Sequence, residues 1–93
     1  MPATNLEAAR SYLAALERGD TDEALSYLAA DIVQEEFPNR LMSQGATRGL
    51  NELREGAARG KQVLSAQRYT VVAAIASEER VALEIQWFHS MKF

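Results

Sequence analysis

Residues 67–87, QRYTVVAAIASEERVALEIQW, have the composition and alternation of a β-hairpin. β-branched and aromatic residues fill the first half, and apolar and polar residues alternate in the second. The polar run 77–80, SEER, predicts the turn between them. We therefore predict strands over 66–76 and 80–91. Their apolar faces are expected to carry Tyr69, Val71, Ala73 and Ile75 on the first strand, and Val81, Leu83, Ile85, Trp87, His89, Met91 and Phe93 on the second.

Two helices are predicted at the start of the chain. Thr4 and Glu7 have the spacing of a capping box, and apolar residues then recur every three or four positions as far as Gly19. A glycine at that point is typical of a helix C-terminus, so the first helix is expected over 5–18. Asp20 can cap a second helix over 21–29.

The middle of the chain joins the helical hairpin to the β-hairpin. After Asp31 the period of the apolar residues changes from about 3.6 residues, typical of a helix, to two residues, typical of a strand. This change predicts a strand over 32–37 and a short return strand over 46–48. A third helix is predicted over 50–64, with Leu50, Leu53, Ala57 and Leu64 on its inner face. The order α-α-β-(β)-α-β-β predicts a single α+β domain over 1–93, in which the helices pack on one face of an antiparallel sheet.

The amino-acid composition excludes several classes of function. The chain has 93 residues and a net charge of −3, which argues against nucleic-acid binding. It has no cysteine and one histidine, so disulfides and thiolate or multi-histidine metal sites are excluded. No apolar window spans a membrane, and no signal peptide is visible. We expect a soluble, cytoplasmic protein without a metal or cofactor that binds neither nucleic acid nor membranes.

Several stretches together resemble the nuclear transport factor 2-like superfamily, which includes SnoaL-like polyketide cyclases and ketosteroid isomerases. They are 12–20 (YLAALERGD), 25–33 (LSYLAADIV), 35–40 (EEFPNR), 45–49 (GATRG) and 81–87 (VALEIQW). The resemblance implies a curved, cone-like antiparallel sheet under a helical lid, with an apolar pocket between them. Members of the superfamily typically continue with two further strands, so it also implies a domain that is truncated at its C-terminus.

The resemblance also implies catalytic positions. Ketosteroid isomerases use a carboxylate base and an oxyanion hole made of a tyrosine and a protonated acid. Tyr12 matches the tyrosine and Glu36 matches the base, whereas the second acid would lie on a strand beyond this sequence. Gln34 and Glu36 share one strand face, and a carboxylate in apolar surroundings would have a raised pKa. The alternative is that Glu36 belongs to a solvated strand end.

Three hypotheses follow. The first is a domain that binds a small apolar or partly polar ligand in a pocket lined by Tyr12, Leu16, Gln34, Glu36, Phe37, Val71, Trp87 and His89. The second is an acid/base enzyme of the ketosteroid isomerase or polyketide cyclase type that uses Glu36 and Tyr12. The third is a protein-interaction module. For Tyr12, Trp87 and His89, the competing interpretation is ordinary packing.

The C-terminal strand predicts self-association. Without the two further strands, residues 81–93 would have one edge without a hydrogen-bonded neighbour, beside apolar side chains. Such edges pair readily with another chain. We therefore expect a homo-oligomer, most simply a dimer, formed by edge pairing or strand exchange of residues 80–93.

Overall fold

The computed structural model of the chain describes residues 4–92. The elements in chain order are α1 (Asn5–Arg18), α2 (Thr21–Ser26), β1 (Gln34–Glu36), β2 (Ala46–Arg48), α3 (Leu50–Val63), β3 (Leu64–Ala76) and β4 (Val81–Met91). This is the α+β order predicted from the periodicities. Within the described residues, no helix has the length and apolar character needed to cross a membrane.

The ends of α1 are fixed by local hydrogen bonds, as the sequence predicts. The Glu7 backbone N–H donates to Thr4 Oγ1 (3.1 Å), and the Thr4 N–H donates back to the Glu7 carboxylate. Gly19 ends the helix with φ 73°, a left-handed conformation that suits glycine. The Asp20 carboxylate then accepts from the Glu23 N–H and caps α2. Helix α2 ends at Ser26, so its predicted extension to residue 29 is wrong: Leu28 N–H bonds back to Leu25 O in a tighter turn.

Strands β3 and β4 form the predicted antiparallel hairpin, with Trp87 opposite Tyr69 and His89 opposite Gln67. The Ser77 N–H donates to Arg80 O (2.8 Å) and closes the turn over the predicted residues. Strands β1 and β2 form a second, separate antiparallel pair. The strands of residues 4–92 therefore make two two-stranded sheets, and they do not form one curved cone.

A bulge at Val72 changes which side of β3 faces inward. Val71 pairs with Ile85 and Ala73 pairs with Glu84, so Val72 has no partner of its own. Because an extra residue reverses the alternation of side chains, the inner face continues at Ala74. The predicted face of β3 is thus wrong beyond Val71: Ala73 is exposed, and Ile75 is 76% exposed.

Along β4, side chains continue to alternate between the two faces of the sheet without interruption opposite the bulge. The residues of β4 that lie opposite the inner face of β3 are the odd-numbered ones, from Val81 to Met91. The predicted face of β4 is therefore confirmed over the described residues, and Phe93 lies outside them. The side chains nevertheless stay largely open to solvent: Trp87 is 43% exposed and Met91 is 43% exposed.

The buried core is small and lies between the first two helices. Among residues 4–92, the buried hydrophobic residues are Leu13, Ala15, Ala24 and Leu25. Helix α3 turns its predicted inner face, which includes Leu53 and Ala57, towards the hairpin but leaves these residues only half-buried. The space between α1, α3 and the hairpin is consequently an open cleft.

Candidate functional site

The cleft has a volume of about 650 Å³ and is bounded by α1, α3 and the inner face of the hairpin. Its apolar wall includes Tyr12, Leu16, Leu53, Leu64, Tyr69 and Trp87. Two glycines of α3, Gly56 and Gly60, also line it, and their missing side chains leave room beside the helix. The volume lies within the range of about 300–1,000 Å³ that is typical of small-molecule sites.

A row of three rings forms the floor of the cleft. Tyr69 and Trp87 stack with their ring centroids 6.3 Å apart, and Trp87 and His89 follow at 4.4 Å. Gln67 holds this row in place: its Oε1 accepts from Trp87 Nε1 (3.2 Å) and from Tyr69 Oη (3.3 Å). Its Nε2 donates to the Leu16 carbonyl (2.9 Å), which ties the floor to the end of α1.

The end of α1 also covers the outer edge of β3. The Glu17 carboxylate accepts a hydrogen bond from the Tyr69 backbone N–H. That N–H points away from β4, so without Glu17 it would be an unpaired donor at a sheet edge. Helix α1 thus contributes the apolar wall with Leu16 and closes one edge of the hairpin with Glu17.

Two tyrosines, Tyr12 and Tyr69, line the cleft. Burial raises the pKa of Tyr12 above its ordinary value of 10.0. Burial also raises the pKa of Tyr69, with smaller contributions from the neighbouring Tyr12 and Glu17. Both phenols are therefore protonated at neutral pH and can donate hydrogen bonds. Tyr69 already donates to Gln67, whereas Tyr12 Oη has no hydrogen-bond partner among residues 4–92.

The structure brings together five of the eight residues proposed for the pocket. The cleft is lined by Tyr12, Leu16, Gln34, Trp87 and His89. Glu36, Phe37 and Val71 are not part of its lining, and Phe37 is 78% exposed. Tyr12 and Glu36, the two proposed catalytic residues, therefore do not share the cleft.

The expected rise in the pKa of Glu36 is wrong. The side-chain amide of Asn39 donates to Glu36 Oε2 (2.8 Å), and Arg48 Nη1 donates to Oε1 (2.9 Å). These hydrogen bonds, first that of Asn39 and then that of Arg48, lower the pKa of Glu36 below its ordinary value of 4.5. A carboxylate held in its charged form by a cation is a weak base, so the ion pair opposes the proposed chemistry.

Sequence reasoning missed Gln67 as a site residue and placed Tyr69 only on the apolar face. A signal for both was present in the predicted hairpin, because residues opposite Trp87 and His89 must share their face. The two hydrogen bonds that Gln67 accepts from Trp87 and Tyr69 could not be predicted, because they depend on the pairing register of β3 and β4. The position of the turn does not fix that register. Within the described residues, no cluster of three or more histidine or acidic side chains could hold a metal ion.

Comparison with solved structures identifies the class of fold. A hypothetical protein with a ketosteroid isomerase-like fold from Catenulispora acidiphila, solved in complex with trimethylamine, matches with a TM-score of 0.71 and 20% sequence identity. The match covers 97% of this chain and 65% of that chain, so the chain spans about two thirds of that protein's length. At this identity, the similarity shows the fold alone.

The family follows from the sequence match. The model of the SnoaL-like domain matches residues 9–91, and the chain belongs to this family. The resemblance inferred from the sequence is therefore confirmed. A search of curated proteins gives no match.

Proposed function

We propose that the domain binds a small, apolar or partly polar organic molecule in the cleft between α1, α3 and the hairpin. The observation that carries this proposal is the cleft of about 650 Å³ with its row of rings at Tyr69, Trp87 and His89. Gln67 holds two of these rings through their polar atoms, so they form a fixed surface. A preorganised aromatic wall binds apolar groups with little loss of side-chain entropy.

Tyr12 gives the proposed ligand its polar contact. Tyr12 lines the cleft, and its hydroxyl stays protonated at neutral pH and has no hydrogen-bond partner among the described residues. A ligand with a hydrogen-bond acceptor would satisfy this group, which favours a partly polar molecule over a hydrocarbon.

Trimethylamine is a rational first probe, because it was bound to the structural relative from Catenulispora acidiphila. Its three methyl groups suit an apolar cleft, and its ammonium form is attracted to the faces of tryptophan and tyrosine. Trp87 is the only tryptophan of the chain and lines the cleft, so its fluorescence reports binding directly.

The second hypothesis, an acid/base enzyme, receives less support. Glu36 is paired with Arg48, has a lowered pKa and does not line the cleft. Tyr12 remains as a donor, but a donor without a base performs only half of a proton transfer. The homodimer expected from the sequence remains part of the proposal.

A pair of substitutions at Gly56 tests the binding site. A Cβ atom at Gly56 would meet nothing closer than Arg59 Nη2 at 3.8 Å, so alanine can be accommodated, and the longer side chain of leucine would extend from there into the cleft that Gly56 lines. Gly56→Leu places an isobutyl group in the cleft, whereas the matched Gly56→Ala adds one methyl group. Both replacements favour the helix over glycine.

The measurement is the fluorescence titration of each variant with anilinonaphthalene sulfonate, an aromatic probe that carries acceptor oxygens, and with trimethylamine. We expect Gly56→Leu to weaken binding at least about tenfold, the loss of one well-packed apolar contact, and Gly56→Ala to bind like the wild type. Equal binding to all three proteins would place the probe on the exposed face of the hairpin and would contradict the proposal.

A further inference from the structure

The charged side chains that line the cleft have different partners, and these partners decide which charges a ligand would meet. The charged residues of the lining are Glu17, Arg18, Arg48, Glu52, Arg59 and Lys61. Two of the four cations already belong to ion pairs, Arg18 with Glu23 and Arg48 with Glu36. Among residues 4–92, no carboxylate pairs with Arg59 or Lys61.

The two carboxylates of the lining each have a stabilising group elsewhere in the fold. Glu52 folds back on the start of its own helix, because its Oε2 would lie 3.3 Å from a Cβ atom placed on Gly49, the N-cap residue of α3. The helix dipole favours a negative charge at that position. Glu17 accepts from the Tyr69 N–H at the outer edge of β3.

Arg59 and Lys61 extend along the helical wall of the cleft. Arg59 Nη2 would lie 3.8 Å from a Cβ atom placed on Gly56, so the guanidinium lies beside a glycine that lines the cleft. Lys61 Cε would lie 3.7 Å from a Cβ atom placed on Gly19, so this side chain crosses from α3 to the end of α1. Two positive charges are therefore carried by the last two turns of α3, on the cleft wall.

The row of rings runs towards the same end of the cleft. His89 lies opposite Gln67, whose Nε2 donates to the Leu16 carbonyl (2.9 Å) in the last turn of α1. Three residues further along the chain, the Lys92 ammonium donates to the Lys61 carbonyl (2.8 Å). The aromatic floor and the positive end of the cleft therefore adjoin each other.

We infer that the ligand of this cleft is an organic anion, with a ring body on the aromatic floor and a carboxylate or sulfonate group at Arg59 and Lys61. This inference rests on the proposed function and narrows it to a class of ligand. A guanidinium binds such a group through two parallel hydrogen bonds, and an ammonium adds three further donors. Attraction between charges is stronger beside apolar walls than in open water.

The competing interpretation is that both side chains only stabilise the helix to which they belong. Cations in the last turns of a helix interact favourably with its dipole, and this effect needs no ligand. A purely structural role would lower the unfolding temperature of variants at Arg59 and Lys61. It would give the cleft no preference for an anion over a neutral molecule of the same shape.

Two probes that differ in one charged group test the inference. Anilinonaphthalene sulfonate and N-phenyl-1-naphthylamine share the same ring body, and only the first carries a sulfonate. Titrations followed by Trp87 fluorescence should show about tenfold tighter binding of the sulfonate, the value of one or two charged hydrogen bonds. Raising the ionic strength from about 0.01 M to about 0.1 M should reduce this preference, because salt screens exposed charges.

Substitutions locate the preference within the cleft. Arg59→Gln and Lys61→Gln should each weaken binding of the sulfonate about threefold, a value that allows for the exposure of both side chains, and the double variant should lose about tenfold. Binding of the neutral amine should stay unchanged, which shows that the cleft is intact. The matched control is Arg10→Gln/Arg54→Gln, which removes two exposed cations of α1 and α3 that do not line the cleft. This control should bind both probes like the wild type.

Three outcomes overturn the inference: equal affinity of the wild type for the two probes, an unchanged preference in the double variant at Arg59 and Lys61, or an equal loss in the Arg10/Arg54 control. If the neutral amine binds and the sulfonate binds no tighter, the inference fails while the proposed function stands. If neither probe binds, both fail.

Discussion

Glu36 shows how a partner distant in sequence reverses the chemistry of a side chain. Strand parity alone places it on the face of Gln34, which does line the cleft. The β1–β2 pairing puts Gln34 directly opposite Arg48, whose guanidinium reaches both Gln34 Oε1 and Glu36 Oε1. The guanidinium stabilises the charged form of Glu36. The carboxylate is therefore a poor base for proton abstraction, and its ion pair joins β1 to β2.

The hydrogen bond from Asn39 and the ion pair with Arg48 together predict an acid-dependent loss of stability. The pKa of Glu36 is lowered in the folded state, so its contribution is present above the ordinary value of 4.5 and is lost as pH falls through the folded-state pKa. We expect the stability advantage of the wild type over Glu36→Gln to shrink below pH 4.5. Thermal unfolding of both proteins between pH 7 and pH 3 measures the difference, in which other carboxylates cancel. A difference that is constant with pH would show that neither Asn39 nor Arg48 stabilises the charged carboxylate.

Removal of the Tyr12 hydroxyl group tests whether the ligand makes a hydrogen bond in the cleft. Tyr12→Phe keeps the ring that lines the cleft and removes only the hydroxyl. We expect binding of anilinonaphthalene sulfonate to weaken about threefold to tenfold, the value of one hydrogen bond, and binding of tetramethylammonium to stay unchanged because it offers neither a donor nor an acceptor. Trp87 fluorescence titration measures both. Equal losses for the two probes would indicate a change of cleft shape.

At the scale of elements, the connection between β1 and β2 depends on one glycine and one asparagine. Asn39 Oδ1 accepts from the N–H groups of Leu41 (2.9 Å) and Met42 (3.0 Å), which folds the loop back. Gly45 then enters β2 with φ +71°, and a Cβ atom there would lie 2.4 Å from the Glu36 carbonyl oxygen. The turn therefore positions the strand that carries Arg48.

Two alanine substitutions, one in this turn and one at the end of α1, separate the cost of backbone strain from the cost of a steric clash. Gly19 has a similar φ of +73°, but a Cβ atom there would meet only Lys61 Cε at 3.7 Å. Gly19→Ala should cost about 1–2 kcal/mol of unfolding free energy, the cost of left-handed backbone for a residue with Cβ. Gly45→Ala should cost clearly more, because a backbone oxygen must also move. Urea denaturation compares the two, and equal costs would show that the loop relaxes freely.

At the scale of the whole molecule, the buried core of the described residues is small and lies on one side of the fold. Its hydrophobic residues lie between α1 and α2, and the inner face of the hairpin stays open. This open face is the floor of the cleft proposed to bind a ligand.

The homodimer that remains part of the proposal predicts thermal unfolding that depends on protein concentration. Raising the concentration about a hundredfold through the micromolar range should raise the Tm by several degrees, because mass action favours a folded dimer. Differential scanning calorimetry measures the Tm, and a Tm that is independent of concentration would contradict the homodimer.

The sequence by itself determined the order of the elements, the caps of α1 and α2, the hairpin turn and the inner face of β4. These features depend on residues within a few positions of each other, such as Thr4 with Glu7 or the period-two alternation from Val81 onward. Only the tertiary structure decided the bulge at Val72, the Glu36–Arg48 pair and the bond from Gln67 to Trp87. Their partners lie 12 or more residues apart, and strand register, which local propensity does not encode, decides which of them meet.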